Sequence, residues 1–167
     1  MEDYRKFYKK MLVYCLMVLS CFALSCDDDD DNIDDVIPDD EVEFDNIQLL
    51  GANEVPAVTS TGSGTLNATY DRDTNIITYT VNWTLGDIDD DVVGMHFHGP
   101  ASTTENAPIV IDITPPATNR DYTGTVSGTT RPLTDDEEED LLDEQWYLNV
   151  HSTTYPNGEL RGQLIED

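Results

Sequence analysis

From about residue 43 onward apolar side chains recur at every second position, and turn-forming residues interrupt the runs at short intervals. Residues 76–83 give the clearest case, with Ile77, Tyr79, Val81 and Trp83 alternating against Thr78, Thr80 and Asn82. Successive side chains of a strand point to opposite faces, so this period of two yields one apolar and one polar face, which a helical turn would mix. The cluster Asp71-Arg-Asp-Thr-Asn75 joins this run to residues 64–70, where Leu66, Ala68 and Tyr70 share a face, and predicts a hairpin. Further strands are expected at 43–50, 92–98, 108–114, 121–127, 145–151 and 159–164. The pattern predicts an all-β fold, an antiparallel Greek-key β-sandwich of about eight strands. One segment departs from it. Thr134 followed by Glu137 makes a capping box, acidic residues fill the first turn, and Leu141 and Leu142 offer an apolar edge, which predicts one short connecting helix over 134–143.

The N-terminus has a different character. Arg5, Lys6, Lys9 and Lys10 precede an almost uncharged apolar run over residues 11–24, the layout of a signal peptide and too short for a comfortable membrane span. The run ends Ala23-Leu24-Ser25-Cys26, which resembles the lipobox of bacterial lipoproteins; Cys21, after Val18-Leu19-Ser20, is a second candidate. The resemblance implies a signal peptide over 1–25, lipidation of Cys26 and attachment to a membrane through that lipid. The aspartates from Asp27 to Asp31 resemble the acidic cluster that some Gram-negative groups use for export to the cell surface, so the expected location is the outer membrane or cell surface. Residues 26–41 are rich in acid and poor in apolar side chains, which predicts an extended tether; calcium binding there is the sharper alternative. The folded domain is expected over 42–167.

Once residues 1–25 are removed, Arg72, Arg120, Arg131 and Arg161 are the remaining strong bases, no lysine is left, and Cys26 is the sole cysteine. Of the 35 Asp and Glu of the full sequence, all but Glu2 and Asp3 remain. Such a chain lacks the basic footprint that nucleic acid requires, and its fold does not lean on disulfides.

Its three histidines fall in two predicted strands, His96 and His98 in Met95-His-Phe-His-Gly-Pro-Ala101 and His151 in Tyr147-Leu-Asn-Val-His151. His96 and His98 are two apart and share a face. In the later strand Trp146, Leu148 and Val150 alternate with Tyr147, Asn149 and His151, so the apolar set faces the core and the polar set lies opposite or in a polar pocket. A hairpin through 152–158 would bring Glu159 and Arg161 to the face of Asn149 and His151. The expected constellation is His96, His98, Asn149, His151, Glu159 and Arg161. Glu54, in Asn53-Glu-Val-Pro56, joins it as a ligand or a partner for Arg161, held by the restriction that Pro56 places on Val55.

Taken in order, Leu50-Gly-Ala-Asn-Glu-Val-Pro56, Gly62-Ser-Gly64, Met95-His-Phe-His-Gly-Pro-Ala101, Tyr147-Leu-Asn-Val-His151 and Pro156-Asn-Gly-Glu-Leu-Arg-Gly-Gln163 closely resemble the CHRD domain, named from chordin and found singly in many bacterial secreted proteins. The resemblance covers nearly all of residues 46–165. Ala57 stands where that family often has a second proline, and Ser152 where threonine is frequent. The resemblance implies an all-β extracellular module without an established enzymatic activity and with an unassigned protein or glycan partner.

Three readings of the constellation compete. The imidazoles bind one zinc or copper ion, against which stands the positive charge of Arg161. Alternatively they form a satisfied polar network that fixes strand register, with no cofactor, which is the reading the sequence favours. The third is an enzyme. His-x-His on a sandwich is similar to copper-zinc superoxide dismutase, but three histidines cannot supply both its metal sites, and no Gly-x-Ser-x-Gly elbow is present for acyl transfer. The sequence thus predicts a binding or structural module without catalysis.

Overall fold

The computed structural model describes residues 40–166. Eight strands run β1 Glu41–Leu50, β2 Ser63–Asp71, β3 Ile76–Thr84, β4 Val92–His98, β5 Ile109–Asp112, β6 Thr123–Thr129, β7 Tyr147–Ser152 and β8 Leu160–Gln163. The signal peptide, Cys26 and nearly all of the acidic tether expected from the sequence lie outside the described residues.

Each alternating run of the sequence becomes a strand with its apolar set inside. Leu66, Ala68 and Tyr70 of β2 and Ile77, Tyr79, Val81 and Trp83 of β3 are all buried. Their hairpin is closed by Asp71, whose carboxylate accepts from the Asp73 and Thr74 amides at 2.9 Å. Asn75 then takes φ 57, a left-handed conformation that asparagine tolerates better than most residues.

The all-β expectation is met, and the sandwich is built by one sheet curled on itself. The strand order is β5-β4-β7-β8-β1-β2-β3-β6 with every neighbouring pair antiparallel. Tyr79 of β3 and Phe97 of β4 lie five strands apart in that order, yet their rings meet edge to face at 5.8 Å. The sheet therefore folds over until its two halves face one another. β1 is the crease. Its register slips between Phe44 and Ile47, where Asn46 has φ 52 and its amide donates to Asn67 Oδ1 at 2.7 Å, a bulge of the kind that bends a strand. Beyond it Leu50 pairs with both Ser63 of β2 and Arg161 of β8, joining the halves. Phe44, Tyr70, Met95, Phe97, Trp146 and Leu148 fill the space between.

The expected helix is α1, Asp135–Leu142, with Thr134 and Asp143 as its caps. The Thr134 hydroxyl accepts from the Glu137 amide, the Glu137 carboxylate accepts from the Thr134 amide, and Arg131 donates two hydrogen bonds to the same carboxylate at 2.6 and 2.7 Å. Leu141 anchors the helix in the core. Among the described residues no helix is long and apolar enough to cross a membrane.

Candidate functional site

Strand pairing sets the geometry of the histidines. In the β4–β7 ladder Gly94 lies opposite His151, His96 opposite Asn149 and His98 opposite Tyr147. Met95, Phe97, Leu148 and Val150 point inward, so these six residues and Arg161, paired with Asn149 in the β7–β8 ladder, share the outer face. That face is covered. His98, Tyr147, Asn149 and Arg161 are all buried although they point away from the core. Three loops, 51–62, 99–108 and 152–158, supply the cover, and polar side chains tie them down.

Arg161 holds the first two. Its Nη1 donates to Asn106 Oδ1 and its Nη2 to the Ser102 carbonyl, both at 3.1 Å, while its guanidinium lies 3.6 Å over the Tyr147 ring. Asn106 in turn donates to the Val55 carbonyl at 2.7 Å, and Asn53 donates to the Arg161 carbonyl at 3.0 Å. Tyr155 of the third loop donates to the Thr59 carbonyl at 2.8 Å. A cation over an aromatic face with its donors on fixed acceptors is a stable way to bury a guanidinium.

Glu54 is brought to this patch by the 3-10 turn Gly51–Asn53 and accepts a hydrogen bond from Asn149 Nδ2 at 2.7 Å. Burial pushes its carboxyl up to about 7, against the opposing pull of the Arg161 charge and the Asn149 hydrogen bond. The two residues influence each other through space, without a direct ion pair among the described residues. Glu159 takes another direction. Its fully buried carboxylate accepts from Ser60 Oγ at 2.6 Å and from the Gly86 amide at 2.7 Å, so it fastens loop 51–62 to the end of β3 and does not reach the histidines.

The three imidazoles do meet. Each offers a ligand nitrogen, and these lie within 4.8 Å of one another. His98 Nδ1 lies 2.9 Å from the Ala107 carbonyl, His151 Nδ1 lies 3.0 Å from the Pro156 carbonyl, and His96 Nδ1 lies 3.1 Å from His151 Nε2. Burial is the leading cause that depresses all three below the usual histidine value, His96 to about 4 with further help from its neighbour His151. They are neutral at pH 7.

Two residues of this patch escape a reading by motif. A methyl group on Gly94 would stand 2.8 Å from His96 Cε1 and 3.3 Å from His151 Cδ2, so the glycine gives both rings their space. Gly158, at φ +129, would drive a side chain into Glu54 and Asn149. Gly94 stood in the sequence only beside a histidine motif and Gly158 only as a turn residue within 156–163; their function depends on which strand lies beside which.

The sequence model of the CHRD domain matches residues 46–164, most of the chain. The chain belongs to the CHRD domain family. No curated protein and no solved structure matches it. Within this CHRD domain the five sequence motifs adjoin one another: Leu50 to Pro56 leads from β1 into the first covering loop, Gly62 begins beside the Glu159 carboxylate, and the remaining three supply β4, β7 and β8 with the turns that flank them. The outward-facing motif residues here hold a loop, make room for one or carry an imidazole, while Met95, Phe97, Leu148, Val150 and Leu160 of the same motifs build the core.

Proposed function

We propose that this chain is a non-catalytic extracytoplasmic module, attached to the outer membrane or cell surface through a lipid on Cys26 and lifted from it by the acidic segment 26–41. Its working part is the loop-covered face of β4, β7 and β8, presented to a protein or glycan partner. The observation that carries the reading is the use made of Arg161: a fully buried cation whose amino groups are both engaged in fixing the 99–108 loop against the sheet. Ordering a loop in advance lowers the entropic cost of binding through it. The excess of carboxylates makes nucleic acid and anionic lipid poor partners.

The test places a photo-crosslinking amino acid on the intact chain in cells. At Thr103, exposed on the covering loop, it should yield a discrete crosslinked species; at Thr78, exposed on β3, it should not. Equal labelling from both positions, or none from Thr103, contradicts the assignment of the binding face.

A further inference from the structure

A carbonyl oxygen only accepts a hydrogen bond, so the Ala107 and Pro156 carbonyls fix the proton of His98 and of His151 on Nδ1. The neutral rings are left with a lone pair on Nε2. His151 Nε2 points at His96 Nδ1, and His98 Nε2 is buried without a hydrogen-bond partner among the described residues. An orphaned acceptor of this kind costs roughly 1–3 kcal/mol unless something fills its lone pair. The opposite nitrogen of His96, Nε2, has the Asp112 carboxylate 3.9 Å away. The His98 and His151 rings thus each have a carbonyl acceptor on one side and a lone pair on the other. His96 instead donates its Nδ1–H to His151 Nε2 in the metal-free chain, and frees Nδ1 for a ligand role only when its proton moves to Nε2, on the side of the Asp112 carboxylate. Histidine metal ligands are oriented in this way, with the non-ligating N–H given to a carbonyl or carboxylate.

The nearest nitrogen pair and its surroundings agree with that pattern, and the three ligand nitrogens lie within 4.8 Å of one another, so the third has to draw in when an ion binds. Two nitrogens bound to one ion at about 2.0–2.1 Å in tetrahedral geometry lie roughly 3.3 Å apart, close to the 3.1 Å between His96 Nδ1 and His151 Nε2. Gly94 removes the side chain that would obstruct both rings. The guanidinium of Arg161, the main objection raised by the sequence, is directed onto Tyr147, Asn106 and Ser102, and its charge reaches His98 only as a secondary influence behind burial. Asp112 adds a negative charge beside the cluster.

The geometry points to a three-imidazole site for a divalent first-row transition ion, zinc or copper, bound through His98 Nε2, His151 Nε2 and His96 Nδ1, with the Ala107 and Pro156 carbonyls orienting two of the rings and the Asp112 charge beside the third. An all-imidazole donor set without thiolate suits these ions and discriminates against magnesium and calcium, which take oxygen. Three protein ligands leave a fourth position for water or for a donor from a partner. The site does not depend on how the chain is anchored.

The full chain, purified without a histidine tag and stripped with chelator, is titrated separately with Zn²⁺ and Cu²⁺ against a competing chelator. One ion per chain should bind and raise the melting temperature, and the Cu²⁺ form should show coupling to three nitrogens in its electron paramagnetic resonance spectrum. His96→Ala removes a ligand while leaving both loop carbonyls their partners, so it should stay folded and lose more than about a hundredfold in affinity. Asp112→Asn should lose about tenfold. A folded parent chain that takes up neither ion overturns the proposal. So does binding undiminished in His96→Ala, which would place the ion on the acidic segment. Metal content of the chain taken from its native cells decides between zinc and copper.

Discussion

His96 and His151, 55 residues apart in the chain, hold ring nitrogens 3.1 Å from each other over a glycine, Gly94, whose missing side chain leaves room for both. The contact depends on the β4–β7 register, which sets Gly94 directly opposite His151. Gly94→Ala should therefore splay the rings while leaving the core untouched. Its expected signature is a modest loss of stability, about 1–2 kcal/mol by denaturant titration, with a clear change in the imidazole resonances of His96 and His151. Unchanged resonances would show that the rings do not lean on this position.

Glu54 makes stability depend on pH. Its carboxyl is raised from 4.5 to about 7 in the folded chain, so the native state holds a proton that the unfolded state has released. The resulting stabilisation is fully present below pH 4.5 and is lost as pH rises through about 7, on the order of 3 kcal/mol across the window. The histidines act with the opposite sign: depressed in the fold, they contribute stability above pH 6.5 that is lost as pH falls through their folded values. Glu54→Gln keeps an acceptor for Asn149 and isolates the first effect. The variant minus parent difference in unfolding free energy should grow between pH 5 and pH 8 in favour of the variant; a difference flat with pH contradicts the assignment.

Much of this arrangement was legible in the sequence, and for one reason. Period two fixes which residues share a face, so the shared side of His96 and His98 and the approach of Arg161 to Asn149 follow from alternation and a short hairpin. What alternation does not encode is the path of non-periodic chain. Loop 51–62 carries Ser60 to Glu159 and so draws that carboxylate away from the histidines, although its place at the head of the strand expected over 159–164 suggested otherwise. For the same reason Glu54 was legible as a member of the patch, but its hydrogen-bond partner Asn149 was not. Alternation left open whether the polar set lay on an outer face or in a pocket, because the cover of that face comes from loops.

Arg161 should prove hard to replace. Arg161→Lys keeps the charge but loses the fork that reaches Asn106 and Ser102 together, and Arg161→Met keeps the packing on Tyr147 without the hydrogen bonds. Each should cost about 2–4 kcal/mol, with faster amide hydrogen exchange concentrated in residues 99–108. A loss of stability with unchanged exchange in that loop would mean Arg161 acts on the sheet alone.

The helix cap offers a control remote from the patch. Thr134→Ala should cost about 1 kcal/mol by removing the hydroxyl that accepts from the Glu137 amide. Zinc or copper affinity should be the same in this variant as in the parent, and a change in affinity would indicate coupling that the contacts do not provide.

The most direct measurement is the protonation state of each imidazole nitrogen, read from long-range ¹H–¹⁵N correlation spectra of the metal-free chain at pH 7.5. His98 and His151 should both carry their proton on Nδ1, with Nε2 at the chemical shift of an unprotonated nitrogen that moves on addition of one equivalent of zinc. Protonated Nε2 on either ring, or Nε2 shifts indifferent to zinc, would contradict the converging lone pairs on which the account rests.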